Sequence, residues 1–148
     1  MSRLGLTLHP TKTRVVYARE EDFDFLGHRL RWRHGRLYLD VSKKAEERMR
    51  DELRLKTRRT WLSLPEMVKD LNPYIRGARQ YFRRIRRRTL SKLDVFVEQR
   101  IARWWARKHG RTCPAWSLVQ RGALYRQHGL ERWNLPRVLR PADSRLAT

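Results

Sequence analysis

Along this chain the apolar positions keep one period up to Val41 and another from Ser42 onward. In the first stretch they alternate, as a half-buried strand requires. Residues 23–32 and 36–41 read as two strands around Arg33-His34-Gly35, where Gly35 can supply the positive φ of a tight hairpin. Leu37, Leu39 and Val41 share a face, and so do Leu26, Leu30 and Trp32 on the partner strand. The β-branched Arg14-Val15-Val16-Tyr17-Ala18 predicts a further short strand. Three such strands need something to cover their apolar face.

The helical period that follows predicts three helices. Ser42 is the expected N-cap of the first, which runs to about Arg59 with Ala45, Met49, Leu53 and Lys56 on one stripe. Ser63-Leu64-Pro65-Glu66 is a capping-box pattern that opens the second. That helix is expected to run to about Arg84, broken or kinked at Asn72-Pro73, with Ile75, Ala78, Phe82 and Ile85 on its apolar side. Thr89 or Ser91 is the expected cap of the third, which ends near His109 at Gly110. Its stripe is Leu93, Phe96, Val97, Ile101, Trp104 and Trp105, which places both tryptophans in the core. Residues 111–148 read as loop with one short helix near 116–125 and a frayed last dozen residues. The expected class is α+β, divided as a sheet unit (1–42), a helical domain (43–110) and a basic extension (111–148).

Charge turns this outline toward a partner. The 148 residues hold 36 Lys and Arg against 15 Asp and Glu, a net charge of +21. Self-repulsion on that scale weakens a compact state unless a polyanion neutralises it. Yet 40% of the chain is apolar, enough for a modest core, so the basicity is not that of a disordered tail. Residues 43–110 carry 21 cations and 8 acids, whereas 1–42 carry 8 and 5 and 111–148 carry 7 and 2. The middle segment is therefore the expected polyanion-binding surface. Arg outnumbers Lys by 29 to 7, and its planar fork suits phosphates. Nucleic acid outranks an anionic membrane because the charge spans the chain instead of one amphipathic helix.

Several classes drop out. No apolar run is long enough to span a membrane, and MSRLGLTLHP lacks the apolar stretch of a secretory signal. The expected location is the cytoplasm. With one cysteine, Cys113, there is neither an intramolecular disulfide nor a zinc site built on cysteine pairs. His109 and Cys113 alone make no metal site. The adjacent acids Glu20, Glu21 and Asp22, with Asp24, read as a solvated turn, because neighbouring side chains on a strand diverge. Trp61 and Trp116 lie off the stripes and are candidates to stack on an exposed base.

Three ordered motifs carry a resemblance. Leu4-Gly5-Leu6-Thr7-Leu8-His9-Pro10-Thr11-Lys12-Thr13 is similar to the stretch that follows the catalytic aspartates in reverse transcriptases. Phe23-Asp24-Phe25-Leu26-Gly27-His28 resembles their primer-grip motif. Leu71-Asn72-Pro73-Tyr74-Ile75-Arg76-Gly77-Ala78-Arg79-Gln80-Tyr81-Phe82 resembles the signature of the maturase-specific region of group II intron proteins. The resemblance implies the end of a reverse-transcriptase palm followed by a thumb or maturase domain. Its motif positions here are Lys12, Phe25, Leu26, Gly27, Asn72, Pro73, Gly77, Tyr81 and Phe82. It implies binding of structured group II intron RNA, and no cofactor is expected. The candidate contacting cations are Arg76, Arg79, Arg83, Arg84, Arg86, Arg87, Arg88, Arg100, Arg103, Arg107 and Lys108. The densest run, Arg83 to Arg88, is expected to continue the C-terminus of the second helix after Tyr81-Phe82, where the dipole favours cations, inside the most basic segment.

The departures bear on activity. The family's polymerase site rests on paired aspartates that hold two metals, and no Asp-Asp occurs in this chain. Lys12, near the incoming triphosphate in the family, then reads as a solvated or phosphate-contacting lysine. No catalytic residue is expected. Ala78 stands where the signature usually has Trp, and His28 where Phe is commoner. The leading expectation is an RNA-binding maturase-type module that assists splicing. The alternatives are the C-terminal part of a split reverse transcriptase working with a separate palm, or a truncated remnant. A DNA target stays open as a further partner.

Overall fold

In the computed structural model, which describes residues 16–17, 19–85, 87–113 and 122–134, a small sheet is followed by helices, as the α+β expectation requires. Strands β1 (Phe23–Phe25), β2 (His28–Arg33) and β3 (Arg36–Val41) form an antiparallel sheet in the order β1-β2-β3. The strand expected over 23–32 is thus two strands. Leu26 (φ 47°) and Gly27 (φ 76°) turn the chain between them, as His34 (φ 50°) and Gly35 (φ 72°) do between β2 and β3. Two central residues at positive φ mark the hairpin turn whose twist matches paired strands. Of the strand expected at 14–18, residues 14, 15 and 18 lie outside the described residues, and Val16 and Tyr17 belong to no strand.

Register sets the faces. Leu30 pairs with Leu39 and Trp32 with Leu37, so these side chains share one face, as expected, while Leu26 sits on the turn. Val41 is buried, but Phe25 (61%) and Leu37 (47%) are exposed, so much of that face is uncovered. On the other face Asp22 pairs with Arg33 at 2.9 Å and Asp40 with Arg31 at 3.4 Å. Of the acid cluster, Glu20 and Glu21 lie in the expected solvated turn, donating their N–H groups to the carbonyl of Tyr17, whereas Asp24 belongs to β1 and Asp22 is held by Arg33 instead of being solvated.

Helix α1 (Lys43–Lys56) starts where Ser42 Oγ accepts from the Ala45 N–H at 3.2 Å. It stops short of Arg59 because Thr57, buried, turns its hydroxyl back to the Leu53 carbonyl at 2.7 Å. Helix α2 (Leu64–Tyr81) opens on the complete capping box of Ser63 and Glu66. It passes through Pro73 without a break. The carbonyl that Pro73 leaves unpaired belongs to Lys69, and both residues are exposed, so water can take it. The helix ends at Tyr81, not near Arg84, because Phe82 turns inward and is buried.

Helix α3 (Arg87–Lys108) begins before both expected caps. Their hydroxyls hold other elements instead: Thr89 donates to Asp40 at 2.6 Å, and Ser91 accepts from Asn134 at 2.9 Å. Its C-terminus falls where expected, with Gly110 at φ 61° and the Arg111 N–H returning to the Ala106 carbonyl at 2.8 Å. A four-residue helix α4 (Ala123–Arg126) follows; residues 114–121, Trp116 among them, and the last dozen lie outside the described residues.

The core is built from Leu53 of α1, Leu71 and Ile75 of α2, and Leu93, Val97, Ile101 and Trp104 of α3. Leu124, Leu130 and Trp133 enter the same cluster, so residues 122–134 pack as part of the helical body. Trp105 is half-buried, against the core but not in it. No helix among the described residues is long and apolar enough to cross a membrane.

Candidate nucleic-acid interface

The expected cations separate into three groups once their neighbours are known. The first is on α2. Arg76 donates from Nε to Glu131 at 2.9 Å, and Arg79 pairs with the same carboxylate at 3.0 Å. Arg79 also donates to the Arg132 carbonyl at 3.0 Å. One turn earlier the Asn72 amide donates to the Gly129 carbonyl at 3.0 Å and accepts from the Glu131 N–H at 2.9 Å. The Arg76 hydrogen bond holds the Glu131 carboxyl below the usual carboxylate range, and Glu131 in turn raises Arg76. Three polar residues of the signature thus clasp the segment 129–132. Gly77 faces open space, with nothing within 4 Å of a Cβ placed there.

The second group surrounds the bend between α2 and α3. Arg83 and Arg84 are exposed in the turn, between buried Phe82 and buried Ile85. Arg86 lies outside the described residues. Arg87 opens α3 and Arg88 is exposed in its first turn, where there is no acidic residue. The expectation that this run extends the C-terminus of α2 is therefore corrected. A helix dipole favours cations at a C-terminus and opposes them at an N-terminus, so Arg88 sits where a bound anion would relieve the field.

The third group is on α3. Arg100 donates from Nε to Thr57 Oγ1 at 3.0 Å, Arg107 donates to the Thr57 carbonyl at 3.0 Å, and Lys108 donates to the Leu62 carbonyl. Trp104 Nε1 completes the set by donating to the Arg59 carbonyl at 2.8 Å. The last three of these bonds satisfy carbonyls that the end of α1 and its following loop leave open. Arg103 is exposed. Among the described residues none of Arg100, Arg103 and Arg107 forms an ion pair. Burial lowers the Arg100 guanidinium from its ordinary value, and the fields of Arg107, Arg103 and Arg54 lower it further. Arg100, Arg103 and Arg107 are thus like charges held close on one helix, while Arg54 is paired with Asp51.

Two of the three resembled motifs, the primer-grip stretch and the maturase signature, also meet in space. Tyr81 of the signature donates its hydroxyl to the carbonyl of Leu26 at 2.6 Å, and His28 Nδ1 lies 3.1 Å from the same oxygen. The His28 ring is 5.0 Å from that of Phe82. Gly27 lies at this junction: a Cβ there would be 3.4 Å from that of Ala45 and 3.7 Å from the Phe82 ring. Phe25 and Leu26 are exposed beside it, while Lys12 lies outside the described residues. Sequence reasoning missed Arg54, Asp94 and Glu131. Asp94 is the acceptor for the Trp133 and Asn134 N–H groups at 2.8 and 3.2 Å, and burial raises its carboxyl. Nothing local in the sequence marks either acid, because the partners lie far along the chain. No cluster of metal-ligating side chains occurs among the described residues.

Residues 46–122, just over half of the chain, match the group II intron, maturase-specific domain. The chain belongs to the group II intron maturase family. Its matched span runs from α1 through the signature and α3, and leaves out the sheet and the 123–134 segment. Membership gives the chain a maturase-related role in group II intron splicing. No curated protein and no solved structure gives a significant match.

Proposed function

We propose that this maturase-family chain is a cytoplasmic RNA-binding module that assists splicing by holding folded group II intron RNA. Arg83, Arg84 and Arg88 around the bend and Arg103 and Arg107 of α3, all exposed, neutralise phosphates that folding brings together, and the RNA carries out the chemistry. The observation that supports this reading most is the α3 surface, where Arg100, Arg103 and Arg107 stand together with no ion pair among the described residues, inside the span matched to the family. Arg76 and Arg79 are held by Glu131 and contribute less.

Titration of the chain with structured RNA between 50 and 200 mM salt tests it. Affinity should fall by about 10³–10⁵ if roughly 6–10 phosphates are neutralised. Flat affinity across that range overturns the reading. A second reading, that the chain works with a separately encoded palm as part of a reverse transcriptase, is favoured by the uncovered apolar face of the sheet at Phe25 and Leu37. The two part on a primed RNA template with Mg²⁺ and deoxynucleotides. The chain alone should make no cDNA, since it contains no Asp-Asp pair for two-metal chemistry, and a palm that restores synthesis would favour the second.

A further inference from the structure

Trp61 has the highest exposure of the large apolar side chains among the described residues, at 77%. Its flat apolar face is thus open to solvent and available for stacking. The loop beneath it is firmly held. Thr57 is buried at its start, the Ser63–Glu66 capping box closes its end, and α3 grips the carbonyls of Thr57, Arg59 and Leu62 through Arg107, Trp104 and Lys108. A rigid mount lets a ring accept a flat partner with little loss of freedom.

The charge around this mount is positive. Arg58 and Arg59 precede Trp61 in the loop, and the side chains of Arg107 and Lys108 reach the loop from α3. The nearby acids are engaged: Glu66 accepts from Ser63, and Asp70 pairs with Lys56 at 3.2 Å and Arg59 at 3.4 Å. An exposed aromatic face on a loop that carries cations and is gripped by others fits a base with its backbone phosphates. In a duplex both faces of each internal base are already stacked, so the ligand class is an unpaired nucleotide.

We propose that Trp61 is a stacking platform for an unpaired base of the bound RNA, with Arg58, Arg107 and Lys108 beside its flanking phosphates. The proposal rests on the RNA-binding reading above and adds to it the part of the RNA that this loop takes.

The test titrates the full chain with two RNAs, a blunt duplex and the same duplex carrying a short single-stranded bulge. The wild-type chain should favour the bulged RNA by roughly 5- to 150-fold, the range one stacked base supplies. Trp61→Ala should bring the bulged RNA to the affinity of the duplex, and Trp61→Phe should keep most of the preference. Neither change should move the melting temperature or the salt slope, since the ring is exposed and uncharged. The inference fails if wild type binds both RNAs equally, if Trp61→Ala keeps the preference, or if it weakens both RNAs alike. If wild type binds neither RNA, the RNA-binding reading itself fails.

Discussion

Arg76 and Arg79 on α2 and Arg100, Arg103 and Arg107 on α3 are one residue type at helical spacing, but of these only the α2 pair forms ion pairs among the described residues. On α2, guanidinium and Glu131 close a clasp that fixes residues 129–132 to the helical body. On α3, two of the arginines bond to Thr57 through neutral oxygens, so their charge remains uncompensated. A count of cations along the sequence treats the two sets alike. What separates them is a single acid more than fifty residues downstream of Arg76.

The sharpest way to break the α3 side is through its anchor. Trp104 is fully buried and also donates to the Arg59 carbonyl. Trp104→Ala should cost about 3–5 kcal/mol, because a large cavity opens and the part-buried Arg59 carbonyl loses its donor. Urea unfolding measures this. A cost under about 1 kcal/mol would mean that α3 does not depend on that packing and that the loop at 57–62 is held by other contacts.

On the α2 side the corresponding break is Asn72→Ala. It removes the acceptor of the Glu131 N–H and the donor to the Gly129 carbonyl in one step. The expected cost is about 1–3 kcal/mol, since two backbone groups lose partners. Hydrogen exchange should speed up at Glu131 while β2 and β3 keep their protection. Equal loss of protection in the sheet would show that the clasp and the sheet unfold together.

How much of this could be read in advance depends on the range of the interactions. Ser42 and the Ser63–Glu66 box were legible because a cap acts within three residues of itself. The stripe of α3 was legible because its period is local. Leu26-Gly27 was hidden inside an apolar run that reads as one strand. The start of α3 was misplaced because Thr89 and Ser91 resemble caps but bond to Asp40 and Asn134 across the fold. The roles of Asn72, Arg76 and Arg79 as a clasp, and the packing of 122–134, had no local signal at all, since their partners lie 53–59 residues away.

Acidification should loosen the clasp and leave the α3 arginines untouched. Arg76 holds the Glu131 carboxyl below its ordinary value in the folded chain. The folded state therefore favours the ionised form, and the contribution is complete above about pH 4.5, the ordinary value for Glu. It is lost as pH falls through the depressed folded value. Asp94 works in the opposite sense: burial raises its carboxyl, so its contribution is present below its unfolded value and is lost as pH rises through the folded one. Glu131→Gln should flatten the acid limb of stability against pH. An unchanged acid limb would place the clasp's strength in the Asn72 bonds.

The smallest effect on stability should come from Arg103→Gln, which removes an exposed guanidinium with no ion pair among the described residues. Surface changes of this kind usually stay within about 0.5 kcal/mol. A small stabilisation is the expected sign, because Arg103 is one of the charges that depress Arg100. RNA binding should respond differently: affinity should weaken, and the salt slope should become shallower by about 1 if one phosphate contact is lost. Arg76→Gln, measured beside it, should loosen the 129–132 segment while changing the slope less, since Glu131 already engages that guanidinium. A melt and an RNA titration at two salt concentrations for each variant read both quantities. If Arg76→Gln flattens the slope and Arg103→Gln leaves it intact, RNA displaces Glu131 from the clasp, and α2 rather than α3 is the phosphate-binding face.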